Sequence, residues 1–148
     1  MEISVDCKAK TLSWAGQIVP CSIGKSGFVK QDYGREGDAK TPLGNYAIRY
    51  GLYRQDRMGE LSCALPLYPM QKNDGWCDAG DDPAYNRPVR LPYPTSAERL
   101  WKPSHVYDVV FILGHNDSPP TPNKGSAIFL HIARQGYKPT LGCIAISK

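Results

Sequence analysis

Tyr107-Asp108-Val109-Val110-Phe111-Ile112-Leu113 is β-branched and aromatic with no polar break after Asp108. Two segments of similar kind follow, Ser126-Ala127-Ile128-Phe129-Leu130-His131-Ile132 and Gly142-Cys143-Ile144-Ala145-Ile146-Ser147. Continuous apolar runs of this length are the pattern of strands buried on both faces. A turn over residues 136–139 separates the last two. His131 lies near the end of one run and Cys143 at the start of the next, twelve residues on. If the two segments pair as a hairpin, a base comes to lie beside a thiol.

Working outward, residues 2–7 alternate polar and apolar, and residues 11–14, 17–23 and 45–50 continue as short strands separated by polar or glycine breaks. Together they read as a β-meander. Residues 34–44 hold Gly34, Gly37, Pro42 and Gly44 among charges, a loop lying beside the sheet with Thr41-Pro42 extended. Residues 70–94, with Asp74, Asp78, Asp81 and Asp82 among Gly, Pro, Trp76 and Tyr85, read as a solvated loop pinned by buried aromatics. They lack the residue order of an EF-hand calcium loop. Thr95 followed three residues later by Glu98 has the form of a capping box, and Pro103 is a stop signal, so a short helix is expected over 95–101. The fold class expected is mostly β: a sandwich of mixed sheets with one or two short helices, forming a single domain over residues 1–148.

Composition agrees with this and excludes several function classes. The chain has 148 residues, 41% hydrophobic and 22% charged, values typical of a folded domain rather than a disordered or fibrous chain. Fourteen glycines and thirteen prolines point to plentiful turns. No apolar run approaches the roughly 18–20 residues needed to span a bilayer, so no membrane insertion is expected. The net charge of +4 is spread over both halves of the chain with no basic run, which gives no support to nucleic-acid binding. Five cysteines, Cys7, Cys21, Cys63, Cys77 and Cys143, leave at least one thiol free in any compartment. None forms Cys-x-x-Cys, so neither a structural zinc site nor a thioredoxin-like motif is indicated.

A thiol near neutral pH is only a few per cent ionised, and an adjacent imidazole that accepts its proton makes it a competent nucleophile. Gly142 before Cys143 allows close approach of a substrate carbonyl, and the amides around the cysteine could stabilise an oxyanion. By residue type alone, a histidine and a cysteine at the ends of buried strands are more often core residues than a functional pair.

The wider motif adds to this reading. His131-Ile132-Ala133-Arg134, then Pro139-Thr140-Leu141-Gly142-Cys143-Ile144-Ala145, resembles the catalytic signature of the L,D-transpeptidase family with the YkuD-type domain, bacterial enzymes of peptidoglycan remodelling. Gly37-Asp38-Ala39-Lys40-Thr41-Pro42-Leu43-Gly44 resembles the family's Thr-Pro-x-Gly segment, and Gly114-His115-Asn116 with residues 125–131 resembles the approach to its active site. The resemblance covers most of the chain and has a departure at each catalytic position. Ala145 stands where many members have arginine, with Arg134 the candidate substitute, and Ile132 follows the histidine where many have glycine.

The resemblance implies a cysteine transpeptidase in which Cys143 is the nucleophile, His131 the base held by a backbone carbonyl, and Gly142 part of the oxyanion hole. The implied partners are donor and acceptor peptidoglycan stem peptides, joined by 3→3 or 1→3 links. No cofactor or metal is implied, and a monomer is expected. Substrate contacts are expected from His115, Asn116, Arg134, Tyr137, Thr140 and Leu141, and from Trp76, Tyr85 and Arg87 in a loop over the cleft. The same pair would also serve an L,D-carboxypeptidase or a peptidoglycan amidase. More remote readings are a zinc hydrolase using His115, Asp117, His131 and Cys143, or a non-catalytic wall-binding module. Inactivation by carbapenems would follow from family membership. The substrate implies the periplasm, although residues 1–6 show no export signal.

Overall fold

The computed structural model describes residues 2–148. Strands β1 (Ser4–Asp6), β2 (Thr11–Trp14) and β3 (Gln17–Pro20) form an antiparallel meander. β4 (Phe28–Lys30) and β5 (Thr41–Leu43) pair in parallel, so Thr41-Pro42 is extended as expected but belongs to a small sheet of its own. β6 (Ile48–Tyr53) follows, then a one-turn helix α1 (Gln55–Met58) and β7 (Leu67–Pro69). β8 (Asp74–Cys77), β9 (Pro88–Arg90) and β10 (Ala97–Arg99) form a second three-stranded sheet. β11 (Val109–Leu113), β12 (Phe129–Ile132) and β13 (Ile144–Ile146) complete a five-stranded mixed sheet in the order β13-β12-β11-β6-β7.

The five-stranded sheet is the centre of the molecule, and register assigns its faces. Ile112 stands opposite Phe129 and Val110 opposite His131 and Leu52, so these side chains share one face. That face packs with Trp76, Leu100 and Tyr107 around the β8–β10 sheet, burying Phe129 and Val110 completely. Each such side chain contributes about 1.5–3 kcal/mol relative to its exposed state. On the opposite face Leu113, Leu130, Ile144 and Ile146 pack against Leu12, Cys21 and Ile23 of the meander region.

Four local expectations are corrected. Residues 95–101 are not helical: β10 pairs antiparallel with β8, Glu98 facing Trp76. The hydroxyl of Thr95 donates to Asp82 instead of capping, and burial of Leu100 against the core outweighs a local capping signal. Residues 45–50 do not extend the meander; the strand there begins at Ile48 and joins the central sheet beside β11. Residues 70–94 are not simply loop, since they supply β8 and β9. The β11 segment alternates, with Val110 and Ile112 buried and the residues between them half-buried, because the small meander covers its second face incompletely.

Candidate active site

β12 and β13 are parallel, not a hairpin, with Leu130 beside Ile144, His131 beside Ala145 and Ile132 beside Ile146. The intervening chain must therefore cross back over the sheet end, through a 3₁₀ turn at Gln135–Tyr137. Extending the register by one residue puts Cys143 beside Phe129. Since neighbours in a parallel ladder and residues two apart share a face, His131 and Cys143 lie on the same face as diagonal neighbours. Their separation is one strand spacing across and two residues along, about 8 Å between α-carbons, within reach for facing side chains. The expected proximity arises, but through the parallel geometry.

The turn entering β13 is closely constrained. Thr140 Oγ1 donates to the Cys143 carbonyl at 2.7 Å and accepts from the Gly142 amide at 3.1 Å. Thr41 Oγ1 donates to the Gly142 carbonyl at 2.8 Å and accepts from the Gly24 amide at 2.9 Å. Gly142 has φ +137°, and a β-carbon there would stand 2.9 Å from the Lys40 carbonyl oxygen. Glycine is required by both conformation and space. Because the Gly142 amide is engaged by Thr140, it is not a free oxyanion donor. Among the described residues, the Leu141 and Cys143 amides have no protein acceptor.

The Cys143 thiol, 8% exposed, donates to the Ala127 carbonyl at 3.2 Å, while its sulfur accepts from the Phe129 amide at 3.4 Å. Burial pushes this thiol up to about 12; the Glu98 carboxylate adds to the rise, and the Phe129 amide and Lys102 oppose it. His131 Nδ1 lies 2.9 Å from its neighbour's Ile132 carbonyl. A carbonyl only accepts, so Nδ1 carries the proton and Nε2 is left as the base. Burial holds the His131 imidazole below its ordinary value, against the Ile132 bond and Glu98, with Arg134 and Lys102 lowering it further. Both shifts favour the neutral thiol and the neutral imidazole over an ion pair. Tyr107 stacks edge-on to both His131, at 5.2 Å between ring centroids, and Phe129, at 6.0 Å.

The other expected contact residues divide. Trp76, 5% exposed, is a core anchor, edge-on to Phe129 with its indole N–H donating to Asn86 Oδ1. Tyr85 is also buried, its hydroxyl donating to Glu36 and accepting from the Gly125 amide. Both side chains point into the interior, because the loop holding them folds inward. His115 is buried edge-on to Tyr46, and Asn116 uses its amide to organise the 116–125 loop through Thr121 and Gly125. Arg87 is exposed. Arg134 ties the β12–β13 crossover by donating to the Pro139 carbonyl. Tyr137 is half-buried beside it, Thr140 is buried, and Leu141 is 76% exposed. The zinc arrangement does not form. Asp117 pairs with Arg49, and no three metal-ligating side chains converge among the described residues.

Sequence reading gave Asn86 no role beyond the loop over the cleft. It is buried, accepts from Trp76 Nε1 at 2.9 Å and the Ala127 amide at 3.1 Å, and donates to the carbonyls of His115 and Asn116 at 3.0 and 2.7 Å. Asn86 thereby supports Ala127, held at φ +54°, whose carbonyl receives the Cys143 thiol proton. Tyr107, Glu98 and Lys102 were also missed as neighbours of the pair. Only the fold carries β10 and the start of β11 to the ends of β12 and β13.

The family model described as YkuD, L,D-transpeptidase catalytic domain, matches residues 2–148. No curated protein and no solved structure matches the chain.

Proposed function

The chain belongs to the L,D-transpeptidase catalytic-domain family, and from that premise we propose that it cross-links peptidoglycan stem peptides through a thioester on Cys143. The observation that carries this reading is the shared face of His131 and Cys143, with His131 Nδ1 committed to the Ile132 carbonyl and Nε2 free to act.

In the first half-reaction the thiol proton leaves the Ala127 carbonyl for His131 Nε2 as sulfur attacks the carbonyl carbon of the L,D bond in the donor stem. The oxyanion is met by the Cys143 and Leu141 amides. As the C–N bond breaks, His131 returns the proton to the departing amine of the terminal D-residue, leaving the thioester. In the second, the acceptor stem's amine attacks the thioester carbonyl. His131 takes its proton and passes it to the departing sulfur, regenerating the neutral thiol. Burial raises the Cys143 thiol to about 12, so the thiol is neutral at rest and loses its proton to His131 in the step in which sulfur attacks. The substrate lies outside the cytoplasmic membrane, so the periplasm is the compartment this reading entails.

Mass spectrometry of purified muropeptides incubated with wild type and Cys143→Ala tests the proposal. Wild type alone is expected to remove the donor's terminal residue and form dimers, whose fragmentation assigns 3→3 or 1→3 links. Trimmed monomers without dimers would replace transpeptidation by carboxypeptidation. No product with either protein would overturn the acyl-transfer reading.

A further inference from the structure

Beside the catalytic pair stands a pair of opposite charges that the acyl-transfer chemistry does not use. Glu98 lies on β10 opposite the buried Trp76, so its side chain faces the central sheet. Its Oε1 accepts from the Tyr107 hydroxyl at 2.9 Å and meets Lys102 Nζ at 2.9 Å. Both partners use the same oxygen, and among the described residues Oε2 receives no protein hydrogen bond. The two side chains are 26% and 30% exposed, shielded enough for charge to matter and open enough to reach a ligand. Lys102 is further steadied over the Tyr107 ring, 5.2 Å from its centroid.

Tyr107 links this pair to the reaction centre. One end of its ring donates to Glu98 and its edge packs against His131. The charges of Glu98 and Lys102 are the ones felt at the Cys143 thiol, and both are felt at His131. A carboxylate with an open oxygen and an ammonium with open donors, one phenol ring from the nucleophile, complement a ligand group bearing both charges on one carbon.

We propose that Glu98 and Lys102 form a subsite for a zwitterionic α-amino-acid head carried on a short aliphatic arm next to the scissile bond, Glu98 taking its ammonium and Lys102 its carboxylate. The inference rests on the acyl-transfer reading above; in a donor stem whose residue at the scissile bond is diaminopimelate, a diamino diacid, the free end of that side chain is such a group. The subsite selects donors that carry both charges over donors with an amine alone or a neutralised carboxylate.

Release of the terminal D-residue is to be measured as kcat/KM for three synthetic tetrapeptide stems: diaminopimelate, diaminopimelate with the free carboxylate amidated, and lysine. Wild type is expected to favour the first over the other two by about tenfold to a hundredfold, the range for one charge-assisted hydrogen bond. Lys102→Met is expected to collapse the ratio between the first two stems towards one, and Lys102→Arg to restore it. Glu98→Gln, which still accepts from Tyr107, is expected to raise KM for stems with a free amine and to remove their advantage over an N-acetylated stem. A merely structural pair would lower all stems in proportion and leave the ratios unmoved. That result, or equal use of all stems by wild type, overturns the subsite while leaving the acyl-transfer reading intact. No release from any stem by wild type overturns both.

Discussion

Asn86→Asp changes one buried atom from donor to acceptor and tests the support beneath Cys143. The carboxylate would still accept from Trp76 Nε1 and the Ala127 amide, but it would face the carbonyls of His115 and Asn116, where Asn86 donates at 3.0 and 2.7 Å. A buried carboxyl set against two carbonyl oxygens is expected to rise about 2–3 pH units above its unfolded value near 3.9. At 1.36 kcal/mol per unit this costs about 3–4 kcal/mol at pH 7, a large part of the roughly 5–15 kcal/mol holding such a domain together. The sign follows from linkage. A group whose folded pKa is raised carries no charge penalty below the unfolded value, and the penalty grows as pH rises to the folded one. Near pH 4 only the poorly met carbonyl remains, about 1 kcal/mol. Urea unfolding followed by tryptophan fluorescence is expected to show a midpoint lowered by roughly 2 M at pH 7 and roughly 0.5 M at pH 4. Equal shifts at the two pH values would refute the argument, since they would assign the loss to packing rather than to charge against the carbonyls.

Gly142→Ala is expected to lower stability by about 2–4 kcal/mol and to depress turnover further, because φ +137° and the Lys40 carbonyl force the turn that carries Cys143 to move. A thermal midpoint within about 1 °C of wild type would contradict this. The depressed His131 pKa places the acid limb of kcat/KM below pH 6.5. The same shift makes stability decline as pH falls below that value, where the unfolded imidazole binds a proton before the folded one does. Cys143 works at the other end. Its pKa is raised from 9.0 to about 12, so it subtracts stability as pH climbs above 9, and Cys143→Ala is expected to flatten that decline in a pH series of unfolding midpoints.

Local patterning made much of the β content and the family legible. The runs around Val110, Phe129 and Ile144 are strands, and the meander at residues 4–20 follows its alternation. The motif around His131 and Cys143 marked the family, and Gly142 marked the turn. These signals were readable because apolar period, glycine conformation and motif spacing are properties of neighbouring residues. The capping signal at Thr95 misled for the complementary reason: a short helix has little stability of its own, and pairing with β8 offered Leu100 and Glu98 better partners.

Only the tertiary structure decided which neighbours His131 and Cys143 have. The parallel pairing of β12 and β13 sets His131 and Cys143 on one face, and Asn86 lies 57 positions before the cysteine whose acceptor it supports. Trp76 and Tyr85, expected near the substrate, became core anchors, while Glu98, Lys102 and Tyr107 arrived at the site unannounced. The physical reason is that strand order and register depend on which apolar faces cover one another across the whole chain. No residue carries that information in its immediate neighbours.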